Sequence, residues 1–144
     1  MLVLDEAQRV ADWVAAQSGN AAPTVDAAIG FEQDGALKAG VYFDALTDNN
    51  IFAHIASTAN TLPRSLLVAV VVYVFEQLRL TRMTFAVPAD NHAAGHLVAG
   101  MGACLEGRLA DACGRGVHLN LHCLRADDDF SRRLLAFTEP DHGK

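Results

Sequence analysis

From Thr81 to Pro88 the chain alternates, with Met83, Phe85 and Val87 on one side and Arg82, Thr84 and Ala86 on the other. A period of two describes a β-strand, and Pro88, which cannot donate to a ladder, ends it. Ala94, Leu97, Val98 and Met101 then recur at helical spacing. Asp90 or Asn91 stands where a side-chain oxygen can accept from a first-turn N–H and cap that helix. Gly102 suits the left-handed residue that stops it, and a further strand through Glu106-Gly107-Arg108 is expected next.

The N-terminal half has a different rhythm. Asp5 to Ser18 places Val10, Trp13 and Val14 on one helical face, with Gly19-Asn20 as a stop. Thr24 to Gln33 and Ala36 to Leu46 read as two strands around Asp34-Gly35, a pair that tolerates positive φ and closes hairpins. On the second of them Val41 and Phe43 share one face and Tyr42 takes the other. After the polar turn Thr47-Asp48-Asn49-Asn50, Ile51 to Ser57 is a third strand, which predicts an antiparallel meander.

Thr61 to Arg79 is ambiguous at the level of residue preference. Leu66 to Phe75 is an apolar, β-branched run that favours a strand by propensity. Pro63 sits where a helix begins, at a position where its missing N–H is harmless. The apolar character continues past Glu76-Gln77 to Leu78 and Leu80 at helical spacing. A strand of this length would also exceed the usual ~5–6 residues. These signs favour a helix, which would be apolar all round and hence buried, while the propensity for a strand stands against them. Beyond the Ala112–Gly116 loop, Val117 to Arg125 alternates as a last strand. Asp127 to Leu135 predicts a terminal helix with a dipole-favoured acidic start, and the tail from Thr138 is expected to be mobile.

Composition narrows the possibilities. With 144 residues, 51% of them hydrophobic and 19% charged, the expectation is one globular domain spanning residues 1–144. A net charge of −6 argues against nucleic acid as a partner. The longest apolar run is too short to span a bilayer, so no membrane partner is expected. Met1-Leu-Val-Leu-Asp-Glu6 has no basic flank and no long apolar stretch, so no signal peptide is expected. Cys104, Cys113 and Cys123 form no C-x-x-C pair, which supports neither a disulfide framework nor a zinc knuckle. A reduced, cytoplasmic setting is the simplest expectation. His92 and His96 stand four apart on one helix face, a spacing that can serve a metal, and His118 and His122 share a strand face. No acidic residue completes an H-E-x-x-H pattern, so no metal is expected.

The succession Asn91, Ala94, Leu97, Gly102 and Glu106-Gly107-Arg108 resembles the C-terminal core of the GNAT acetyltransferase superfamily. The likeness covers roughly Ala28 to Asp129. It is nearest to the ribosomal-protein N-terminal acetyltransferase branch and its small, often phage-encoded members. The resemblance implies an α/β (α+β) domain with a mixed, mostly antiparallel sheet and helices on both faces, and it decides the ambiguous 61–79 segment in favour of a helix. It implies transfer of an acetyl group from acetyl-CoA to a primary amine, whether of a small molecule or a protein. It also implies a homodimer. The two central strands, Ile51–Ser57 and Thr81–Pro88, would splay to admit the pantetheine arm, with Ile55 and Ala56 offering backbone groups to it. Asn91 would contact the cofactor region, a role compatible with a helix N-cap.

In this family the loop that binds pyrophosphate is glycine-rich, whereas this chain has Ser57-Thr-Ala-Asn-Thr-Leu-Pro-Arg64-Ser65. Arg64 and Ser65, together with free N–H groups at the helix start, are the candidates to hold an anion there. Val98 stands where many members carry a tyrosine general acid, and Ala103 where an aromatic usually follows the glycine. His54, mid-strand where the thioester would lie, is the candidate base, since a free imidazole's pKa of about 6.5 suits proton removal. Glu32 and Tyr42 are weaker candidates on the acceptor side. The alternative is a member of the fold without efficient catalysis, acting through binding or assembly.

Overall fold

The computed structural model of the protein describes residues 1–137, so the expectation for the tail from Thr138 lies outside the described residues. Seven strands form one sheet in the order β1-β2-β3-β4-β5-β7-β6. They are β1 (Leu2–Val3), β2 (Ala27–Gln33), β3 (Ala36–Asp44), β4 (Phe52–Ser57), β5 (Arg82–Pro88), β6 (Cys104–Leu109) and β7 (Leu119–Arg125). The helices are α1 (Ala7–Ala16), α2 (Arg64–Val71), α3 (His92–Gly100) and α4 (Asp129–Ala136). Every strand pair is antiparallel except β4 with β5. The mixed, mostly antiparallel architecture inferred from the sequence is the observed one.

The meander follows from its turn. Asp34 (φ 54°) and Gly35 (φ 77°) both occupy the left-handed region, and Gln33 faces Ala36 across the two-residue loop. That geometry matches the twist of the flanking strands. β1 is absent from the sequence reading because two residues carry no periodicity. It adds to the edge of the sheet by pairing Leu2 with Phe31 and Val3 with Gly30.

Alternation along the strands makes two cores on opposite faces. Val41 and Phe43 of β3, with Met83, Phe85 and Val87 of β5, face α2, α3 and α4, which contribute Leu66, Val70, Val98 and Leu134. Tyr42 faces the other way, onto α1, with Val10 and Val14. Helix α1 lies close to the sheet because Gly30 and Gly40 are cross-strand partners. A Cβ at Gly40 would sit 3.0 Å from a methyl of Val10 and 3.0 Å from one of Val14. Here glycine serves a close approach rather than a turn.

The ambiguous run is helical, as the resemblance implied and the proline and the length favoured. Its second half departs from expectation. After α2 the backbone widens into a π-helix over Val72–Gln77, with Leu78 N–H donating to Tyr73 O at 2.9 Å. Such wide turns appear mostly as single-turn insertions in α-helices. Val70, Val71 and Val74 are fully buried, each contributing roughly 1.5–3 kcal/mol.

Candidate functional site

Strands β4 and β5 pair at only one position, Phe52 with Thr84, where Thr84 N–H donates to Ile51 O at 2.9 Å. Beyond that apex they diverge, because each is held on its outer side, β4 along β3 and β5 along β7. The facing backbone groups of the two strands are thereby left without ladder partners. The gap is a cavity of about 310 Å³. Ala53, His54 and Ile55 line it from β4, Phe85 to Pro88 from β5, and Ser18, Asn20 and Asn91 from above.

Asn91 reaches this rim by capping α3. Its Oδ1 accepts from Ala94 N–H at 3.2 Å, and its Nδ2 donates to Ser18 Oγ at 3.2 Å, tying α3 to the end of α1. The other end of α3 closes on Gly102 (φ 72°), with Gly102 N–H on Ala99 O and Ala103 N–H on Val98 O. That double closure is a Schellman motif.

His54 projects from β4 to the α1 side, opposite Tyr42 in the register. The two rings stack with centroids 4.4 Å apart and planes 13° from parallel. His54 Nε2 lies 2.8 Å from Asp44 Oδ1. A carboxylate accepts and cannot donate, so this contact places the ring proton on Nε2 and leaves Nδ1 as the basic nitrogen. Burial, and then the charge of Asp44, push the Tyr42 hydroxyl pKa up, so it stays protonated and able to donate around neutral pH. Asp44 was not singled out in the sequence. It lies ten residues from His54, and only the β3–β4 register brings the two to one face. Glu32 lies outside the cleft and accepts from Arg9 at 3.2 Å.

The residues expected to bind cofactor fall into two groups. Ile55 and Asn91 line the cleft with His54, while Ala56 is buried beneath α1. Arg64 and Ser65 are exposed, and their side chains line a separate, larger cavity of about 940 Å³ between α2 and β2. The Arg64 guanidinium lies over the Phe137 ring, 4.1 Å from its centroid. No side chain caps α2, and its first intrahelical bond comes from Leu67 N–H to Pro63 O. The amides of Arg64, Ser65 and Leu66 are therefore open donors at the positive end of the helix.

Val98 is fully buried in the core and stands outside the cleft, so the tyrosine position of the family has no counterpart facing the site. His92 and His96 are exposed on α3. His118 Nδ1 accepts from Asp111 N–H at 3.1 Å within the β6–β7 loop. Among the described residues no three His, Cys, Asp or Glu side chains gather as a metal site. No helix among them is long and apolar enough to cross a membrane.

No protein-family model matches the chain, and no curated protein matches it. Among solved structures 145 chains match. One is yncA, a putative acetyltransferase from Salmonella typhimurium with its cofactor acetyl-CoA. It superimposes with a TM-score of 0.65 at 14% identity over 99% of this chain and 98% of that one. An N-acetyltransferase from Staphylococcus aureus Mu50 gives 0.65 at 14% identity, covering 87% and 97%. The ribosomal-protein-S5-alanine acetyltransferase from Vibrio fischeri gives 0.57 at 14% identity, covering 69% of this chain and 60% of that longer one. At such identities the likeness concerns the fold, which is that of the GNAT acetyltransferases.

Proposed function

We propose that this GNAT-fold chain is an acetyl-CoA-dependent N-acetyltransferase acting on a primary amine. The observation that carries the reading is the cleft at the β4–β5 divergence, with the Asp44-held His54 in its wall. A cleft bordered by unpaired backbone amides and carbonyls suits an extended, amide-bearing chain such as pantetheine, which can add to a strand edge. The open amides of Arg64, Ser65 and Leu66 suit a phosphate, and in this reading Arg64 and Ser65 serve through their backbone rather than their side chains. Ile55 and Ala56 belong to the bordering strand, and Asn91 holds the rim. Acetyl-CoA, when bound, supplies an activated thioester.

An ammonium group has no lone pair with which to attack, so the site must first take its proton. His54 Nδ1, the nitrogen that Asp44 leaves free, accepts that proton directly or through one water. Asp44 then faces an imidazolium and stabilises it by charge. The protonated Tyr42 hydroxyl donates to negative charge as it develops on the acyl oxygen or sulfur. In this reading the acid role falls to the α1 face of the cleft, a proposal supported by the enclosure of Val98 in the core.

The test is release of CoA thiol from acetyl-CoA across a panel of primary amines, including the N-terminal amine of short peptides. The wild-type chain is expected to turn over at least one acceptor. His54→Gln is expected to lower turnover by roughly 100–10,000-fold while leaving acetyl-CoA affinity intact. Full turnover by His54→Gln would remove the imidazole from the mechanism.

A further inference from the structure

We propose that Cys104 and Cys123 form a reversible intramolecular disulfide when the protein meets a hydroperoxide. Far apart in sequence, they are direct partners across the antiparallel β6–β7 ladder. Opposed residues in such a ladder project from the same face, with Cα atoms about 4.5–5.5 Å apart. That separation falls inside the roughly 4.4–6.8 Å range that disulfides span. Both cysteines are free thiols.

Their surroundings divide the roles. Cys104 is exposed and opens β6 directly after Gly102 and Ala103, so a peroxide can reach it and its backbone lies at a strand end able to adjust. Cys123 is buried, and burial pushes its thiol pKa up, which keeps it protonated and unreactive on its own. Cys104 is thus the attacking residue and Cys123 the resolving one. Cys113, exposed in the loop between the two strands, has no cysteine facing it and serves as an internal control.

The chemistry balances without a further reactant. The Cys104 thiol gives up its proton, its sulfur attacks one oxygen of hydrogen peroxide, the O–O bond breaks, and the leaving hydroxide takes that proton, so a sulfenic acid and one water result. The Cys123 sulfur then attacks the sulfenic sulfur, the S–O bond breaks, and a second water leaves with the Cys123 proton. Two electrons pass from the two thiols to the peroxide. The new bond fastens a continuous cross-strand row, since Cys104 faces Cys123, Cys123 faces Thr84, and Thr84 faces Phe52. That last pair is the apex of the cleft, so the crosslink stiffens the side of the sheet on which the cleft is hinged.

The experiment is brief treatment of the full chain with hydrogen peroxide, followed by alkylation with N-ethylmaleimide in denaturant and peptide mass mapping. The expected product is a linked Cys104–Cys123 peptide pair, about 2 Da lighter than the two reduced peptides, that dithiothreitol releases. Cys113 stays alkylated. Cys104→Ser is expected to leave Cys123 open to alkylation, and Cys113→Ser to leave the crosslink unchanged. Sulfinic acid at Cys104 with Cys123 still alkylated, a Cys104–Cys104 link between chains, or a crosslink that disappears in Cys113→Ser would each overturn the proposal.

Discussion

Asp44 does not line the cleft and acts on it from outside, by its contact with His54 and its charge near Tyr42, and that makes it a sharp residue for separating orientation from packing. Asp44→Asn can still bond the ring but can now donate to it, which favours the wrong tautomer and withdraws the charge that supports an imidazolium. We expect Asp44→Asn to lower turnover by about tenfold or more with little change in acetyl-CoA affinity. A steady-state comparison of kcat and KM checks this, and a change in KM alone would point to packing. A second residue-scale prediction concerns acid. The hydrogen bond from Arg82 holds the Glu106 carboxyl pKa below its ordinary 4.5. A depressed carboxyl stabilises the fold above the unfolded value and loses that contribution as pH falls through the folded one. Because the Glu106 side chain is exposed and Arg82 only half-buried, solvent screens the pair and the effect is ~0.2–1 kcal/mol. Melting curves of wild type and Glu106→Gln are expected to differ near neutral pH and to converge as pH falls through the lowered Glu106 value. Equal melting at every pH would remove the pair from the stability of the sheet.

Among elements, those with local chemistry were legible from sequence. Asp34-Gly35 specified its hairpin, Asp90 or Asn91 the cap that Asn91 makes, and Gly102 its stop, because each is decided by neighbours within a few residues. The placement of His54 beside the divergence came from the family resemblance, since alternation marks a strand but not where two strands part. The π-helix after α2 was not, because an all-apolar run gives no side-chain sign of whether a carbonyl is met four or five residues later. Nor was the Asp44–His54 contact, which depends on the β3–β4 register and on the turn 47–50 that sets it. The bearing of the Arg64 side chain, over Phe137, depends on where α4 ends. Gly40 is an element-scale prediction, since it decides how closely α1 lies on the sheet. Gly40→Val is expected to cost roughly 1–3 kcal/mol in urea denaturation, because its methyl groups would meet Val10 and Val14. An unchanged midpoint would mean that α1 is free to lift.

At the scale of the whole molecule, the sheet is two antiparallel blocks, β1 to β4 and β5 to β7, joined in parallel at a single residue pair. The cleft is a consequence of that join. The turn after α1 and the N-cap of α3 are linked there by the Asn91–Ser18 hydrogen bond, so the two blocks are bridged at the rim as well as at the apex. The central claim is that this cleft takes acetyl-CoA, and calorimetric titration of the full chain with acetyl-CoA tests it most directly. Saturable one-to-one binding is expected, weakened when a bulky Ile55→Trp side chain fills the gap. A melting temperature that rises with ligand concentration is expected as well. The absence of both heat and stabilisation at millimolar acetyl-CoA would contradict the claim, and would leave a GNAT fold that works by binding something else.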